Sequence, residues 1–386
     1  MTTTATREAP AEIANPAIRQ LLAPQNRPAL EALITEERPL PPPICLTVDL
    51  THRCNANCAS CIERDGMAHS RHADLPAQDA FRLVTDSVEA GVKAWGLYGG
   101  EPLLHPAFSE VLLAAVEQGL FVSLVTNGFL LGRPPVALAL KRAAADGRLR
   151  SVPVSLNAAT PDVHAGHFRV GRDRFEHTVA ACRELVTAGV PLSVSYLVDT
   201  DNYQDLVAGA RVALAEIGAH RLYVRLATGL HGIGAAPFAQ QDRATMLLRI
   251  RELRSEWGQR VAVPASFVEL LRTQRLRDTQ QECTWRPFCL LCAIGTPPGP
   301  GQIWACTYFR GVPRFQAGRL PLAEWVRSAD RRRAALRISP RKHCASVNCN
   351  KRAANRWLHG LRERFVRSGS VPDLPSVPAE APFFPT

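Results

Sequence analysis

The sequence has little lysine, few aromatic residues and no long hydrophobic run. Only four of its 46 Lys and Arg residues are lysine, and aromatic residues make up 6% of the chain. No segment approaches the roughly 18 apolar residues that a membrane-spanning helix needs. The first residues, MTTTATREAPAEIANP, lack the apolar core of a secretory signal. These absences exclude membrane, secreted and fibrous classes, and we expect a soluble cytoplasmic protein.

The remaining composition is that of a protein with a hydrophobic core. Of 386 residues, 46% are hydrophobic and 21% are charged, and the net charge is +11. The most basic stretch runs from Arg331 to His343 and has no interleaved aromatic residues, so it does not favour nucleic-acid binding. We interpret it as a solvated helix face, with an acidic substrate or a negatively charged electron donor as the second interpretation.

The chain contains eleven cysteines, an unusual number for a cytoplasmic protein. A disulfide framework is not expected in a reducing compartment. Cys45 and Cys182 stand alone in apolar stretches, which is typical of small buried hydrophobic residues. The other nine form two groups, one of three near residue 58 and one of six between 283 and 349. Clustered thiolates indicate a metal site, either zinc or iron–sulfur.

Between residues 45 and 258 the hydrophobic pattern alternates six times between a short strand and a helix. The predicted strands are 45–50, 94–99, 121–127, 152–157, 191–198 and 221–227, and the predicted helices are 77–91, 106–119, 135–146, 173–189, 202–217 and 239–258. Glycine follows four of these helices, at Gly91, Gly119, Gly189 and Gly218, where a C-cap favours it. This order predicts an α/β fold with a parallel sheet, and six repeats rather than eight predict a partial, open (β/α)6 barrel.

The composition divides the chain into four parts. Residues 1–43 are expected to form an N-terminal arm that ends in the stiff sequence PLPPP. Residues 44–260 form the barrel, and residues 261–367 a small cysteine-rich domain that metal holds together and that has few long strands. Residues 368–386 are a Pro-rich tail.

The first cysteine group, Cys54, Cys58 and Cys61, has the spacing C-x3-C-x2-C and directly follows the first strand. Barrel enzymes place their chemistry at this end of the strands. Three thiolates can hold three irons of a [4Fe–4S] cluster and leave the fourth iron open to a substrate. A structural zinc site usually has four protein ligands, often in C-x2-C pairs, so zinc is the weaker interpretation.

These residues carry a resemblance to a known family. The loop THRCNANCASC resembles the cluster loop of the radical S-adenosylmethionine (SAM) superfamily, Gly99-Gly100-Glu101-Pro102 resembles its GGE motif, and VTNGFLL and SLNAATPDVHAGHFRVGRDRF resemble later segments. The resemblance implies that Gly99, Gly100 and Glu101 hold the amino group of SAM. It also implies that Asn127, Ser155 and Asn157 lie near SAM and that Arg169 lies near its carboxylate.

The sequence departs from the family pattern at two places. Ser60 stands where an aromatic residue often packs on the adenine, and Asn157-Ala158 stands where Asp-Gly is commoner. Both departures concern the contacts with the nucleoside and leave the cluster loop intact.

The second cysteine group resembles the SPASM and twitch extensions of radical SAM enzymes. Cys292 and Cys306 flank Gly301 with the spacing C-x8-G-x4-C, and Cys344 and Cys349 follow. The resemblance implies an auxiliary [4Fe–4S] cluster on Cys292, Cys306, Cys344 and Cys349, with Cys283 and Cys289 as alternatives to Cys292. Six cysteines favour the one-cluster twitch form over the two-cluster SPASM form, and zinc at this site stays open.

Three functions follow from this resemblance. The first is a radical SAM enzyme that oxidises or otherwise modifies a small molecule such as a sugar or aminocyclitol, with a flavodoxin- or ferredoxin-type electron donor. The second is a maturase of a ribosomally made peptide or protein; the 43-residue arm is shorter than the leader-recognition domain that many maturases carry. The third is a non-catalytic iron–sulfur carrier. We expect the first, because the arm disfavours the second and the complete GGE motif disfavours the third.

Overall fold

The computed structural model describes residues 18, 22–35, 45–58, 60–61, 74–227, 238–273, 289–296, 299–304, 316–319, 321–327 and 351–375. No helix within these residues is long and apolar enough to cross a bilayer.

The described part is built on one ten-stranded sheet. In chain order its strands are β1 Cys45–Asp49, β2 Ala94–Tyr98, β3 Phe121–Leu124, β4 Leu149–Ser155, β5 Leu192–Val198, β6 Leu222–Leu226, β7 Val261–Ala262, β8 Cys289–Thr296, β9 Gly299–Trp304 and β10 Gln316–Arg319. Their spatial order is β10-β9-β8-β1-β2-β3-β4-β5-β6-β7. All neighbours from β8 through β1 to β7 are parallel, whereas β8–β9 and β9–β10 are antiparallel.

Helices connect the parallel strands, as the alternating pattern predicts. The helices of the described part are α1 Arg27–Thr35, α2 Ala77–Glu89, α3 Phe108–Glu117, α4 Pro134–Ala145, α5 Pro161–Phe168, α6 Asp173–Thr187, α7 Leu206–Arg211, α8 Gln240–Trp257, α9 Ala265–Thr273, α10 Leu322–Arg327 and α11 Lys351–Ser368. Of these, α2 to α8 lie between consecutive strands from β1 to β7, whereas α1 precedes β1 and α10 and α11 follow β10. The predicted helix at 202–217 is divided, because a π-helical turn, Val212–Glu216, continues α7. All four predicted C-cap glycines have positive φ, between 77° and 92°.

The two faces of the sheet differ in character. Leu46, Val48 and Leu50 in and after β1 join the main hydrophobic core, and Thr47 and Asp49, which alternate with them, are buried polar residues. Because side chains alternate along a strand, these polar residues lie on the inner face of the partial barrel. The helices cover the outer face, so the inner face at the carboxyl ends of the strands is the place for a polar site.

The C-terminal segment joins the barrel sheet instead of forming short pieces beside it. β8 has eight residues and pairs in parallel with β1, with Cys289 opposite Cys45 and Cys292 opposite Thr47. The expectation of few long strands after residue 260 stays a prediction, but the pairing of β8 with the barrel was not predicted. This pairing spans more than 240 residues, and no local pattern in the sequence encodes such a contact. The division of the chain at residue 260 stays a prediction.

The N-terminal region also packs on the rest of the protein. Ile18, Leu22, Leu30 and Ile34 are buried, and α1 contacts α11 near the other end of the chain. Burying these apolar side chains stabilises the arm against the C-terminal helix.

Candidate active site

The loop after β1, which carries the first cysteine group, is anchored on both sides. The Arg53 guanidinium forms two hydrogen bonds of 2.9 Å to the Asp74 carboxylate, and Thr51 Oγ1 donates to Asp74 Oδ1 at 2.5 Å. Burial raises the pKa of Asp74, but the hydrogen bonds from Arg53 and Thr51 outweigh it and hold the pKa below its ordinary value. Asp74 therefore stays ionised and fixes the start of the loop.

The turn after β2 packs directly on the backbone of this loop. Gly100 N donates to Thr51 O at 3.0 Å, and Glu101 N donates to Arg53 O at 2.7 Å. A Cβ on Gly99, which has φ +111°, would lie 2.5 Å from Thr51 O, and a Cβ on Gly100 would collide with Arg53 O. Only glycine permits so close an approach, so the two glycines bring the β2 turn and the cysteine loop together.

Glu101 connects this turn to the end of β3. Its side chain is buried and accepts hydrogen bonds from Thr126 Oγ1 at 2.7 Å, Asn127 N at 2.7 Å and Leu103 N at 3.1 Å. Burial raises the pKa of Glu101 to about 7, although these three hydrogen bonds oppose the rise. A carboxylate has about four acceptor positions, so Glu101 keeps one for a ligand.

Asn127 continues the connection to the cysteine loop. Its Nδ2 donates to Asn55 Oδ1 at 2.7 Å and lies 3.9 Å from Cys54 Sγ, and its Oδ1 accepts from Phe129 N at 3.1 Å. The structure thus brings Cys54, Glu101 and Asn127, predicted from three separate motifs, into one hydrogen-bonded group.

The three cysteines of the loop lie close to one another and form no disulfide. Burial, together with the neighbouring Cys61 and Cys54, raises the pKa of Cys58 to about 12. Burial likewise raises the pKa of Cys54 to about 11. Within the described ranges no three metal-ligating side chains surround a single ion. A [4Fe–4S] cluster does not need such a single-ion site, because each thiolate binds a different iron.

A second polar group lies at the end of β4. Asn157 has a left-handed backbone, with φ 56°, and its Oδ1 accepts from Leu197 N at 2.7 Å. Its Nδ2 is 2.9 Å from His167 Nε2, and His167 Nδ1 is 3.4 Å from Asp199 Oδ2. Since the amide nitrogen donates, His167 Nε2 accepts and Nδ1 carries the proton toward Asp199. This chain of contacts fixes the Asn157 side chain.

Arg169 lies at the C-terminal end of α5 with a left-handed backbone, φ 53°. Its charge lowers the pKa of Cys58, one of the smaller effects on that thiol, so it lies near the cysteine loop. The residue before it also contacts the loop, because Phe168 O accepts from Asn57 N at 2.9 Å. Ser155 completes the set: its backbone N donates to Thr126 O at 2.9 Å.

The predicted auxiliary site falls largely outside the described residues. Cys306, Cys344, Cys349 and Cys283 lie outside them, and for Cys292 and Cys289 only the backbone, in β8, is described.

Sequence reasoning missed several residues that shape the site. Asp74, Asn55 and Thr126 hold the loop and Glu101, and Asp199 and His167 hold Asn157. The only available signal is position, since Asn55 lies within the cysteine motif, Thr126 precedes Asn127, and Asp199 directly follows β5.

The sequence of this chain is similar to those of known proteins. Residues 48–212 match the model of the radical SAM superfamily, so the chain carries a radical SAM domain. The PqqA peptide cyclase of Ruegeria pomeroyi is 31% identical over 213 residues, which are 55% of this chain and 53% of that protein. The PqqA peptide cyclase of Gluconobacter oxydans is 30% identical over 191 residues, 47% and 49% of the two chains. The chain thus matches about half the length of these relatives.

Solved structures share the fold. Streptococcus suis SuiB bound to the precursor peptide SuiA has a TM-score of 0.60 at 15% identity, over 80% of this chain and 70% of that chain. anSMEcpe with bound AdoMet and a Cp18Cys peptide has a TM-score of 0.55 at 14% identity, over 76% and 82%. The partial radical SAM barrel is confirmed.

Proposed function

We propose that this chain, whose residues 48–212 form a radical SAM domain, is an enzyme that cleaves SAM reductively and modifies a ribosomally made peptide. The observation that carries the proposal is the joining of the cysteine loop, Glu101 and Asn127 into one hydrogen-bonded group.

The donor set fits a [4Fe–4S] cluster that SAM can approach. Cys54, Cys58 and Cys61 lie on one loop and form no disulfide, and Ser60 Oγ beside them is buried without a hydrogen-bond partner among the described residues. Gly99 and Gly100 leave no room for a Cβ between the β2 turn and this loop. We assign the three cysteines to the cluster and Gly99, Gly100, Glu101, Asn127, Ser155, Asn157 and Arg169 to SAM.

When bound, the cluster supplies one electron that cleaves SAM to methionine and a 5′-deoxyadenosyl radical able to take a hydrogen atom from a C–H bond. The protein supplies position and charge. Glu101 offers its remaining acceptor position to the SAM amino group, and Arg169 offers its charge to the SAM carboxylate. Asn157, fixed by His167 and Leu197 N, presents a preset polar edge to the nucleoside.

A peptide substrate is the better proposal because of the relatives. The two curated proteins are peptide cyclases, and SuiB and anSMEcpe were both solved with peptides. The small-molecule hypothesis has no comparable support. We retain an auxiliary [4Fe–4S] cluster on Cys292, Cys306, Cys344 and Cys349, with Cys283 or Cys289 as alternatives to Cys292, and a flavodoxin- or ferredoxin-type electron donor as parts of the proposal.

The test is SAM cleavage by anaerobically reconstituted protein with dithionite. We expect 5′-deoxyadenosine from the wild type and none when Cys54, Cys58 and Cys61 are all replaced by Ala. Cys182→Ala is the matched control, because Cys182 is buried in the core away from the loop. If the triple variant forms 5′-deoxyadenosine at the wild-type rate, the proposal is wrong.

A further inference from the structure

Arg225 lies in β6 on the face of the sheet that the core does not cover. Leu222, Val224 and Leu226 are buried in the main core, while Tyr223 and Arg225 are only half-buried. Side chains alternate along a strand, so Tyr223 and Arg225 share the inner face. There the Arg225 guanidinium carbon lies 5.7 Å from the centre of the Tyr223 ring.

The charge of Arg225 has no acceptor within the described part of the chain. Arg225 Nη2 is buried and has no hydrogen-bond partner there. The aromatic ring stabilises the cation from one side but accepts none of the guanidinium hydrogen bonds in its plane. A buried donor without an acceptor costs free energy, and the arrival of an acceptor removes that cost.

Arg225 also lies close to the candidate SAM site, at a position where a substrate could contact both. Ser155 in β4, Ser195 in β5 and Tyr223 in β6 are in register across the sheet, and Arg225 is one inner-face position nearer the carboxyl ends, opposite Leu197. Two strand spacings, about 10 Å, separate β6 from β4. A group bound by Arg225 would thus lie beside the nucleoside site, on the side away from β1 and its cysteine loop.

We infer that Arg225 binds a carboxylate of the substrate and so selects peptides that present one at this position. The inference deepens the proposed function and rests on it. A guanidinium pairs with a carboxylate through two parallel hydrogen bonds, a geometry that a lysine ammonium does not offer. The inner-face neighbours Ser195 and Tyr223 add neutral hydroxyl groups. The Asp199 carboxylate, two residues beyond Leu197 on the same face, is already held by His167, whose Nδ1 lies 3.4 Å from Asp199 Oδ2. The carboxylate can come from an Asp or Glu side chain or from a peptide C-terminus.

The test measures binding of small probes to reconstituted full-length protein by ligand-observed NMR at about 150 mM salt, where long-range attraction is screened. The probes are N-acetylglutamate N-methylamide, its glutamine analogue and N-acetylalanine, which represent the side chain, the uncharged control and the C-terminus. We expect at least one carboxylate probe to bind the wild type about tenfold or more tightly than the glutamine analogue. The carboxylate probe that binds identifies the source.

Variants assign the preference to Arg225. Arg225→Met should abolish it, and Arg225→Lys, which keeps the charge but loses the paired hydrogen bonds, should reduce it. The matched control is Arg150→Met, because exposed Arg150 in β4 also lies 5.7 Å from an aromatic ring, that of Phe121. If Arg225→Met does not fold, Arg225→Lys and Tyr223→Leu still test the inference.

Three outcomes would overturn the inference: no preference for a carboxylate in the wild type, an unchanged preference in Arg225→Met, or complete displacement of the probes by SAM, which would assign Arg225 to the cosubstrate. Binding of the probes needs no SAM cleavage. Failure of the proposed function appears instead as absent 5′-deoxyadenosine, so the two failures are distinguishable.

Discussion

The pKa of Glu101 leads to a specific prediction about SAM binding. Burial raises this pKa to about 7, and the carboxylate keeps one acceptor position after its hydrogen bonds from Thr126, Asn127 and Leu103. If that position receives the SAM amino group, SAM binds best to the ionised form. The affinity for SAM should then rise as the pH rises through about 7.

The size of the effect follows from the ionised fraction. About one pH unit below the pKa only a tenth of the Glu101 carboxyls are ionised, so the apparent affinity falls about tenfold relative to about pH 8. Glu101→Gln removes both the titration and a charge-assisted hydrogen bond of about 1.5–3 kcal/mol, which corresponds to a tenfold to hundredfold weaker affinity at about pH 8.

Equilibrium dialysis of SAM against reconstituted wild type and Glu101→Gln, at about pH 6 and about pH 8, measures these affinities. Other groups also titrate in this range, so the difference between the two proteins isolates Glu101. Iron content is the control, because the substitution leaves all three loop cysteines in place. The same pH dependence in both proteins, or an unchanged affinity in the variant, would refute the role of Glu101.

Three further predictions concern other parts of the molecule. Gly128→Ala should lower the free energy of unfolding by about 2–3 kcal/mol in denaturant titrations, because the alanine Cβ would lie 2.7 Å from Thr178 Cγ2 and 2.8 Å from Val154 Cγ1. Gly147→Ala is the control: its Cβ would have no atom within 4 Å, so it should lower the free energy by only about 1 kcal/mol. Burial lowers the pKa of His164 to about 4 in the folded protein, so between about pH 6.5 and 4 the unfolded chain binds a proton that the folded protein does not. The wild type should therefore lose stability as the pH falls through this range, and His164→Phe should lose less. A constant stability difference from the wild type over this range would contradict that. The variant without Cys54, Cys58 and Cys61 should retain about four irons per chain in metal analysis, whereas zinc in their place would contradict the auxiliary cluster and about eight would indicate two auxiliary clusters.

The parts of the fold that local patterns encode could be predicted from the sequence. Each of the six strands predicted in the barrel contains alternating or continuous apolar residues, such as Leu222, Val224 and Leu226 in β6, and each is present within a few residues of its expected bounds. The eight-residue helix α5 was missed: it is short, and it ends at Arg169 in a left-handed conformation that only Gly, Asn or Asp commonly signals.

The candidate site also has parts that could be predicted from the sequence and parts that could not. The cysteine loop, Glu101 and Asn127 could be placed together because the carboxyl ends of parallel strands meet at one edge of the sheet. The contacts between Arg53 and Asp74, 21 residues apart, and between His167 and Asp199, 32 residues apart, could not be predicted. Each depends on where a loop returns after leaving the sheet, and charged residues in loops are far more often solvated than paired.

Arg225 shows how the two kinds of information combine. The sequence places an arginine in an otherwise apolar strand, where it is the fourth residue of LYVRL, and the pattern alone indicates only that it shares a face with Tyr223. The register adds that this face continues the row of Ser155 and Ser195 toward the candidate SAM site. The structure adds that Arg225 Nη2 is buried without a hydrogen-bond partner among the described residues and that the guanidinium lies beside the Tyr223 ring. These observations together lead to the proposal that Arg225 binds an anionic group of the substrate.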